Sequence, residues 1–498
     1  MAHEAKRCFF AWENRLLLPF PPRPSRPRHV LSSIPRRFQS DSTTAPEVVP
    51  RASRSHANPP SQAPLGRRPP LSILPLSSLL RSYIITLFSS TPYLLHPSLA
   101  VLSHLTDSKS NVLSPDHNVL LRWLLKRTLY AQFCAGENRS EVQTTIDRLK
   151  GLGYRGVILG HAREAILDIE AITTLADQGK VTKATSQALN DIKVWKTGCL
   201  ETVRLTSQND FVALKFSGAG SQALSDLSRD ASPTRVLEEA ITEICDLAAE
   251  RGVSLLFDAE QQAIQAGIDS WALEFMRRYN KKGPSDRAVV YNTYQAYLKA
   301  MPSILARHLS IAQKEGFTIG VKLVRGAYLG SDPRHVINDT KAQTDDAYDK
   351  AAEGLLRRSY NHVLQTDTGE SNADFPAISL VLASHNRHTI RKAQEICALQ
   401  AQDGNAGKVD LVHAQLMGMA DEISCELVQA SRGADGKEGV DVPKAYKYLV
   451  WGTTGQCMKY LVRRAEENRD AVARTKEGRL ALGRELSRRI RQAMRLSQ

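Results

Sequence analysis

From about residue 150 onward, short apolar, β-branched runs alternate with longer stretches whose apolar positions recur every three or four residues. The short runs fall at 156–160, 211–216, 254–257, 288–292, 318–323, 378–383, 409–413 and 445–450. Brief, continuously apolar strands separated by helical spacing point to a parallel sheet covered on both faces. Leu273, Met276 and Arg277 after Asp258 illustrate the helical spacing. Eight such units predict an α/β fold, a TIM-like (β/α)8 barrel. The competing doubly wound sheet would carry G-x-G-x-x-G after its first strand. The near match, Gly218-Ala219-Gly220 with Ala223, follows the second strand instead and reads as a flexible loop.

Upstream the pattern breaks down. Residues 71–105 are apolar but interrupted by Pro75, Arg81, Pro92, His96 and Pro97. A spanning helix needs about 20 uninterrupted apolar residues. The segment therefore reads as short helices that pack on the body or, as the weaker alternative, lie on a membrane surface. The implied layout is a leader at 1–50, a basic Pro-rich segment with short apolar helices at 51–110 and a helical arm at 111–150. The barrel follows at 151–470, and then a C-terminal helix at 471–498.

Charge sharpens this layout. Of the net +14, residues 1–110 carry +9, from 14 Lys and Arg against 5 Asp and Glu. The body is nearly balanced, which argues against a nucleic-acid binder. The first forty residues hold Arg15, Arg23, Arg26, Arg28, Arg36 and Arg37, and 48–106 contains no acid. Arg- and Ser-rich, acid-poor leaders of this kind read as mitochondrial transit peptides. Seven scattered cysteines without C-x-x-C argue against a disulfide framework or a zinc site and fit a reducing compartment.

Chemistry in a barrel sits at the C-terminal strand ends. Here those ends are polar: Lys215; Asp258 and Glu260; Asn292-Thr293-Tyr294-Gln295; Lys322; Ser384-His385-Asn386; Tyr448. Each alone has a plain structural reading as a solvated, capping or turn residue. Convergence of these strand ends on one rim makes a site.

The runs LFDAEQQ, VVYNTYQAYLK, GVKLVRGAYL, LASHN, AQLMGM, AYKYLVWG and YLVRRAEEN occur in this order. Together they resemble the strand-end motifs of the proline dehydrogenase family in its eukaryotic mitochondrial form, over roughly residues 150–470. The resemblance implies FAD-dependent oxidation of L-proline to Δ1-pyrroline-5-carboxylate, with electrons passed to a quinone. It also implies a mitochondrial location on the matrix side or at the inner membrane. Alternatives are a hydroxyproline dehydrogenase or a folate reductase relative; the latter would lack the Arg-Arg-x-x-Glu helix and the K-L-V-R-G-A-Y run.

In 456–470, Met458, Leu461, Val462 and Ala465 form an apolar stripe, with Tyr460, Arg463, Arg464 and Glu467 opposite. The spacing alone describes a solvated face with an Arg463–Glu467 pair. The resemblance instead lays this helix over the barrel mouth and turns that face toward a flavin. It implies that Arg463, Arg464 and Lys215 hold the proline carboxylate, and that Tyr328, Leu416, Tyr448 and Tyr460 wall the ring. Asp258 would order Lys215 or Arg464. Tyr448 mildly favours proline over hydroxyproline. Gln295, Lys322, Val324, Gly326, Ala327, Lys341, His385, Asn386 and Glu467 are implied as flavin contacts, Lys322 near N5. Lys215, Asp258, Lys322 and Tyr448 form the implied catalytic group. Three departures remain. The polar stretches 360–376 and 431–441 read as loop insertions. No residue in Gly160-His161-Ala162-Arg163-Glu164 matches the acidic gate of some family members.

Overall fold

The computed structural model describes residues 69–108, 110, 112–162, 186–281, 287–366, 374–402, 409–434, 441–467 and 472–496. The leader, Arg163 and Glu164, and parts of both expected insertions lie outside these residues. Eight parallel strands close a barrel in sequential order, β8 pairing back to β1. They are β1 (Gly156–His161), β2 (Phe211–Leu214), β3 (Ser254–Phe257), β4 (Val290–Gln295), β5 (Ile319–Val324), β6 (Ile378–Ala383), β7 (Asp410–Leu416) and β8 (Ala445–Trp451). The barrel is the one the alternation predicts.

Two strands run three residues further than their apolar runs. In β4 and β7 the ladder continues through Gln295 and Leu416, pairing with Val324 and Tyr448. Polar side chains entering the mouth break the apolar pattern there without breaking the backbone pairing. Strand β2 stops short. Phe216–Ala219 forms a buried 3-10 turn, with the Phe216 ring edge-on to Phe257 at 4.9 Å and to Trp271 at 5.2 Å. The Gly218–Gly220 stretch is thus a packed turn rather than the open loop its glycines suggest. Aromatic burial outweighs the local flexibility signal.

The helices are α1 (Leu76–Ser89), α2 (Pro92–Asp107), α3 (Val119–Leu125), α4 (Arg139–Gly151), α5 (Ser186–Leu205), α6 (Ser221–Ser228), α7 (Arg235–Glu250), α8 (Gln262–Tyr279), α9 (Met301–Glu315), α10 (Lys341–Arg357), α11 (Arg387–Gln402), α12 (Asp421–Ala434), α13 (Thr454–Glu467) and α14 (Val472–Leu496). Helix α3 runs on through a π-helical turn at Lys126–Tyr130 and the short stretch Ala131–Phe133. The largest cluster of buried apolar residues lies between the strands and helices α5 to α11. Val212, Leu255, Val321 and Leu323 supply its strand side.

Two of the upstream prolines act as punctuation, whereas Pro97 sits inside α2 without ending it. Helix α1 starts directly after Pro75, and Pro92 occupies the first turn of α2, where a missing N–H costs nothing. Helix α1 packs along α14, and α2 packs against α13. Leu71, Leu74 and Leu79 share a buried cluster with Ala481 and Leu482; fully burying a leucine such as Leu79 contributes roughly 1.5–3 kcal/mol. Packing on the body is therefore the arrangement found for 71–105. Among the described residues no helix is long and apolar enough to cross a membrane.

Candidate functional site

Successive strand residues point to opposite sides of the sheet, so one register fixes every inward group. Ile158, Phe211, Ala213, Leu256, Tyr291, Val381, Val412, Ala414 and Tyr446 form the inner cluster. Stepping two residues further toward the mouth on each strand changes the chemistry. Ala213 is followed by Lys215, Leu256 by Asp258, Tyr291 by Thr293 and then Gln295, Ala414 by Leu416, and Tyr446 by Tyr448. Lys322 lies beside Thr293 across the β4–β5 ladder.

Three of these groups interlock. Lys322 Nζ donates to Asp258 Oδ1 at 2.5 Å, and the Tyr448 hydroxyl donates to Asp258 Oδ2 at 2.9 Å. The Lys322 ammonium also sits 5.3 Å from the Tyr448 ring centroid. All three are buried or nearly so, and such an ion pair holds only because its remaining lone pairs are also satisfied. Burial, then the Asp258 carboxylate, holds the Tyr448 hydroxyl well above its usual pKa, so it stays a donor. Gly160 leaves room for it: a Cβ there would stand 3.0 Å from Tyr448 Oη. Asp258 is thus given to Lys322 and Tyr448, a pairing not foreseen beside Lys215 and Arg464. The Lys215 carbonyl accepts from Trp195 Nε1 at 2.9 Å.

The β4–β5 edge is pinned by its own backbone. Ala327 N–H donates to Gln295 Oε1 (3.2 Å), and Ala296 N–H donates to the Val324 carbonyl (2.9 Å). Gly326 adopts φ 143°, and a Cβ there would lie 2.2 Å from the Tyr297 ring. That close approach requires glycine. Next to it Arg325 forks to Asp345 (2.7 Å), Ser384 (2.7 Å) and Thr389 (2.9 Å), its guanidinium 4.4 Å from the Tyr348 ring centroid. Asn386 caps α11 by accepting from His388 N–H at 2.9 Å, and His385 Nε2 accepts from Leu416 N–H at 3.1 Å. Lys341 is exposed and pairs with Asp345.

Helix α13 carries the arginines. Met458 is fully buried and Val462 nearly so, as the stripe predicts, but Tyr460 on the opposite face is buried too, at 8% exposure. The helix is therefore covered on both sides. Arg464 lies between two rings, 5.6 Å from Tyr460 and 6.0 Å from Tyr328. Cation–π contacts of this kind fix a guanidinium without using its N–H donors. Arg463 is half-buried on the same helix, and the side chain of Glu467 lies outside the described residues.

The start of α13 is held by groups that sequence reasoning missed. Glu137 Oε1 accepts from Thr454 N–H (2.8 Å) and from Thr454 Oγ1 (2.6 Å). Its other oxygen takes Arg122 (2.9 Å) and Lys126 (2.8 Å). Asp116 accepts from Gly455 N–H at 2.8 Å. Two carboxylates thus meet the positive end of the helix dipole. Burial alone would raise the Glu137 pKa, but Lys126, Thr454 and Arg122 prevail and hold it down to about 2. Tyr130 donates to the Gly452 carbonyl at 2.8 Å, and Cys134 bridges to Val450. No local signal marks Glu137, because its partner lies 317 residues away.

A cavity of about 1240 Å3 opens above these groups. Its barrel end is bounded by Leu416, Tyr448, Tyr460 and Arg464, one flank by Lys341, His385 and Asn386, and the outer side by α1 and α2. The geometry can hold a small anion at an arginine above a buried acid–base layer, with room for a larger group alongside.

A barrel with its polar layer at the C-terminal mouth and a cationic helix over it defines a (β/α)8 barrel enzyme. The chain belongs to the proline dehydrogenase family, an oxidoreductase family, whose model matches residues 142–477. Among its relatives is the probable mitochondrial proline dehydrogenase of Schizosaccharomyces pombe, 31% identical over 458 residues covering 83% of this chain and 89% of the relative. Hydroxyproline dehydrogenase of Xenopus laevis is 28% identical over 396 residues, 74% and 80% of the two chains. Proline utilization A from Bdellovibrio bacteriovorus, solved after inactivation by N-propargylglycine, superposes with a TM-score of 0.52 at 19% identity. That likeness covers 80% of this chain and 38% of the solved chain, and it shows the shared barrel fold.

Proposed function

We propose that this chain oxidises L-proline to Δ1-pyrroline-5-carboxylate with a bound FAD, passes the electrons to a quinone, and works in the mitochondrion. The observation that carries the reading is Arg464, held between Tyr328 and Tyr460 on a helix over the mouth layer of Tyr448, Asp258 and Lys322. The relatives named mitochondrial and the basic, acid-poor leader support the location.

The residues present fit a flavin. Lys341, His385, Arg387 and His388 line one flank of the cavity, a donor set suited to a diphosphate at the start of α11. Gln295, Val324, Gly326 and Ala327 would hold the flavin ring, and Lys322 would supply a cation to it. Glu467 belongs to the same proposed set. When bound, the flavin supplies the two-electron acceptor for a hydride from the ring carbon next to nitrogen.

The protein's own groups then position the substrate. Arg463, Arg464 and Lys215 grip the carboxylate through charge-assisted hydrogen bonds. Tyr328, Leu416, Tyr448 and Tyr460 enclose the methylenes and exclude water. Asp258 holds Lys322 in place and keeps Tyr448 turned down, so the wall facing the substrate is the tyrosine ring. That wall favours an unsubstituted ring over hydroxyproline. Catalysis rests on orientation and on desolvation of the amine.

The test is spectroscopic. Purified protein should be yellow, and its flavin band should bleach anaerobically on adding L-proline and much more slowly with hydroxyproline. A colourless protein that FAD cannot reconstitute would sink the reading.

A further inference from the structure

The cavity over the barrel mouth has two unlike ends. Its barrel end carries the charged and aromatic groups just assigned. Its outer end is mostly apolar, with Ile85 on α1 and Leu95, Leu99 and Leu102 on α2 beside the hydroxyls of Ser82, Thr86, Ser89 and Ser98. None of these residues is among those assigned to substrate or flavin. On α2 the three leucines recur at i, i+4 and i+7 and are half-buried, a stripe turned toward the cavity.

The outer surface of the same hairpin is apolar too. Leu80 and Leu94 are exposed there, and Ile84, Phe88 and Val101, which line the cavity, reach the surface at its rim. From residue 69 to 106 the only Lys, Arg, Asp or Glu is Arg81. Its guanidinium is turned inward to Gln132 at 3.0 Å. Both helices also lie outside residues 142–477, the part of the chain that the family model matches. At about 1240 Å3 the cavity exceeds the roughly 300–1,000 Å3 of ordinary small-ligand pockets. An apolar space of this kind gains nothing by holding water; what it stabilises is an apolar chain, at about 0.8 kcal/mol per buried CH2.

We propose that this outer chamber is the acceptor site and takes a prenylated quinone. Once the imine has left, the ring reaches inward to Tyr448 and Tyr460, and the isoprenoid tail lies along the Leu95–Leu99–Leu102 stripe. The proposal rests on the reading that electrons leave to a quinone. The balance closes: proline loses two electrons and two protons in becoming the imine, and the quinone gains two of each and departs as the hydroquinone. A tail on the acceptor thus contributes to affinity through α1 and α2, which the substrate clamp does not require.

The experiment uses the full-length flavin-loaded protein and two acceptors with the same ring, decylubiquinone and the tail-less 2,3-dimethoxy-5-methyl-1,4-benzoquinone. The wild type should show a KM at least tenfold lower for the tailed quinone. In Leu95→Glu/Leu99→Glu that ratio should fall to near one. A photoreactive decyl quinone should crosslink to α1 or α2, mapped by mass spectrometry, and excess decylubiquinone should compete with it. Equal KM values in the wild type, a tail preference that survives the double substitution, or crosslinks mapping away from both helices would each overturn the proposal. So would finding residues 1–68 crosslinked into the chamber in its place. Should the glutamates prevent folding, Leu95→Gln/Leu99→Gln, closer in volume, replaces them and the same ratio decides. Proline-dependent reduction of a water-soluble dye separates the two readings. Without it in the wild type the oxidation reading fails, while the crosslink still decides the chamber.

Discussion

The floor and the roof of the site are held in place by different means. On the floor, Asp258, Lys322 and Tyr448 stand on three strands whose register is set by the barrel ladders, and each fixes the others. On the roof, Arg464 stands on a single helix whose position is set at its start by Asp116 and Glu137, from a segment that precedes the barrel. Damage to the floor should therefore appear as lost stability, and damage to the roof as lost affinity.

The largest effect belongs to the floor. Asp258→Asn leaves the Lys322 ammonium, 7% exposed, without its counter-charge. Breaking a buried pair from one side costs about 3–5 kcal/mol, readable as a lower urea midpoint. Asp258→Asn/Lys322→Met should recover most of it; if the single substitution left the midpoint unmoved, the floor would not be the rigid half.

Next comes the roof. Arg464→Met removes charge-assisted bonds worth about 1.5–3 kcal/mol, a rise in proline KM of about 10- to 150-fold, with flavin content and urea midpoint little changed. Unchanged proline affinity would remove the clamp from this helix.

A smaller effect tests the hinge between the halves. Glu137→Gln weakens the cap of α13 by about 1 kcal/mol and should raise proline KM several-fold while kcat moves less. The pKa of Glu137 is lowered from 4.5 to about 2. Its contribution is thus fully present above pH 4.5 and fades as pH falls toward 2, and the substitution should flatten stability in that window. An equal fall in kcat and affinity would mean that the cap does more than place the arginines.

A separate effect, outside both halves, is a pH signature. Burial lowers His413 from 6.5 to about 4, and His308, buried near Arg307 and Arg277, to about 3. The folded state refuses a proton that the unfolded state accepts, so stability falls as pH drops from about 6.5 toward 4. His413→Leu should make that decline shallower in urea titrations at pH 4.5 and 6.5.

The floor was legible in the sequence because strands are short, local and periodic. Each apolar run placed its strand start within two residues, and the inward parity that ends in Asp258 or Tyr448 is already present in the run before it. The ends of β4 and β7 were not legible, since Gln295 and Leu416 stay in the ladder after the apolar pattern has stopped. Nor was the Gly218–Gly220 turn, where burial of Phe216 overrides glycine. The roof was legible only in part. The stripe located α13 and its arginines, but nothing local in Glu137-Asn138-Arg139 points to Thr454. Tyr460 was placed on the polar face by spacing, and its burial comes from a cluster shared with Leu125 and Tyr130 of the arm and Val450 of β8.

The clasp between the arm and the last strand also bears on the order in which the molecule can assemble. Tyr130 meets Gly452 across 322 residues, and Glu137 meets Thr454 across 317. Contacts so distant in sequence are slow to form, and these wait until nearly the whole chain has left the ribosome. The barrel can begin to associate strand by strand during synthesis, but α13 has no seat until the N-terminal arm and the final strand meet. A nascent chain would therefore hold a partly built floor long before it held a roof, and competence to bind substrate would arrive late and all at once.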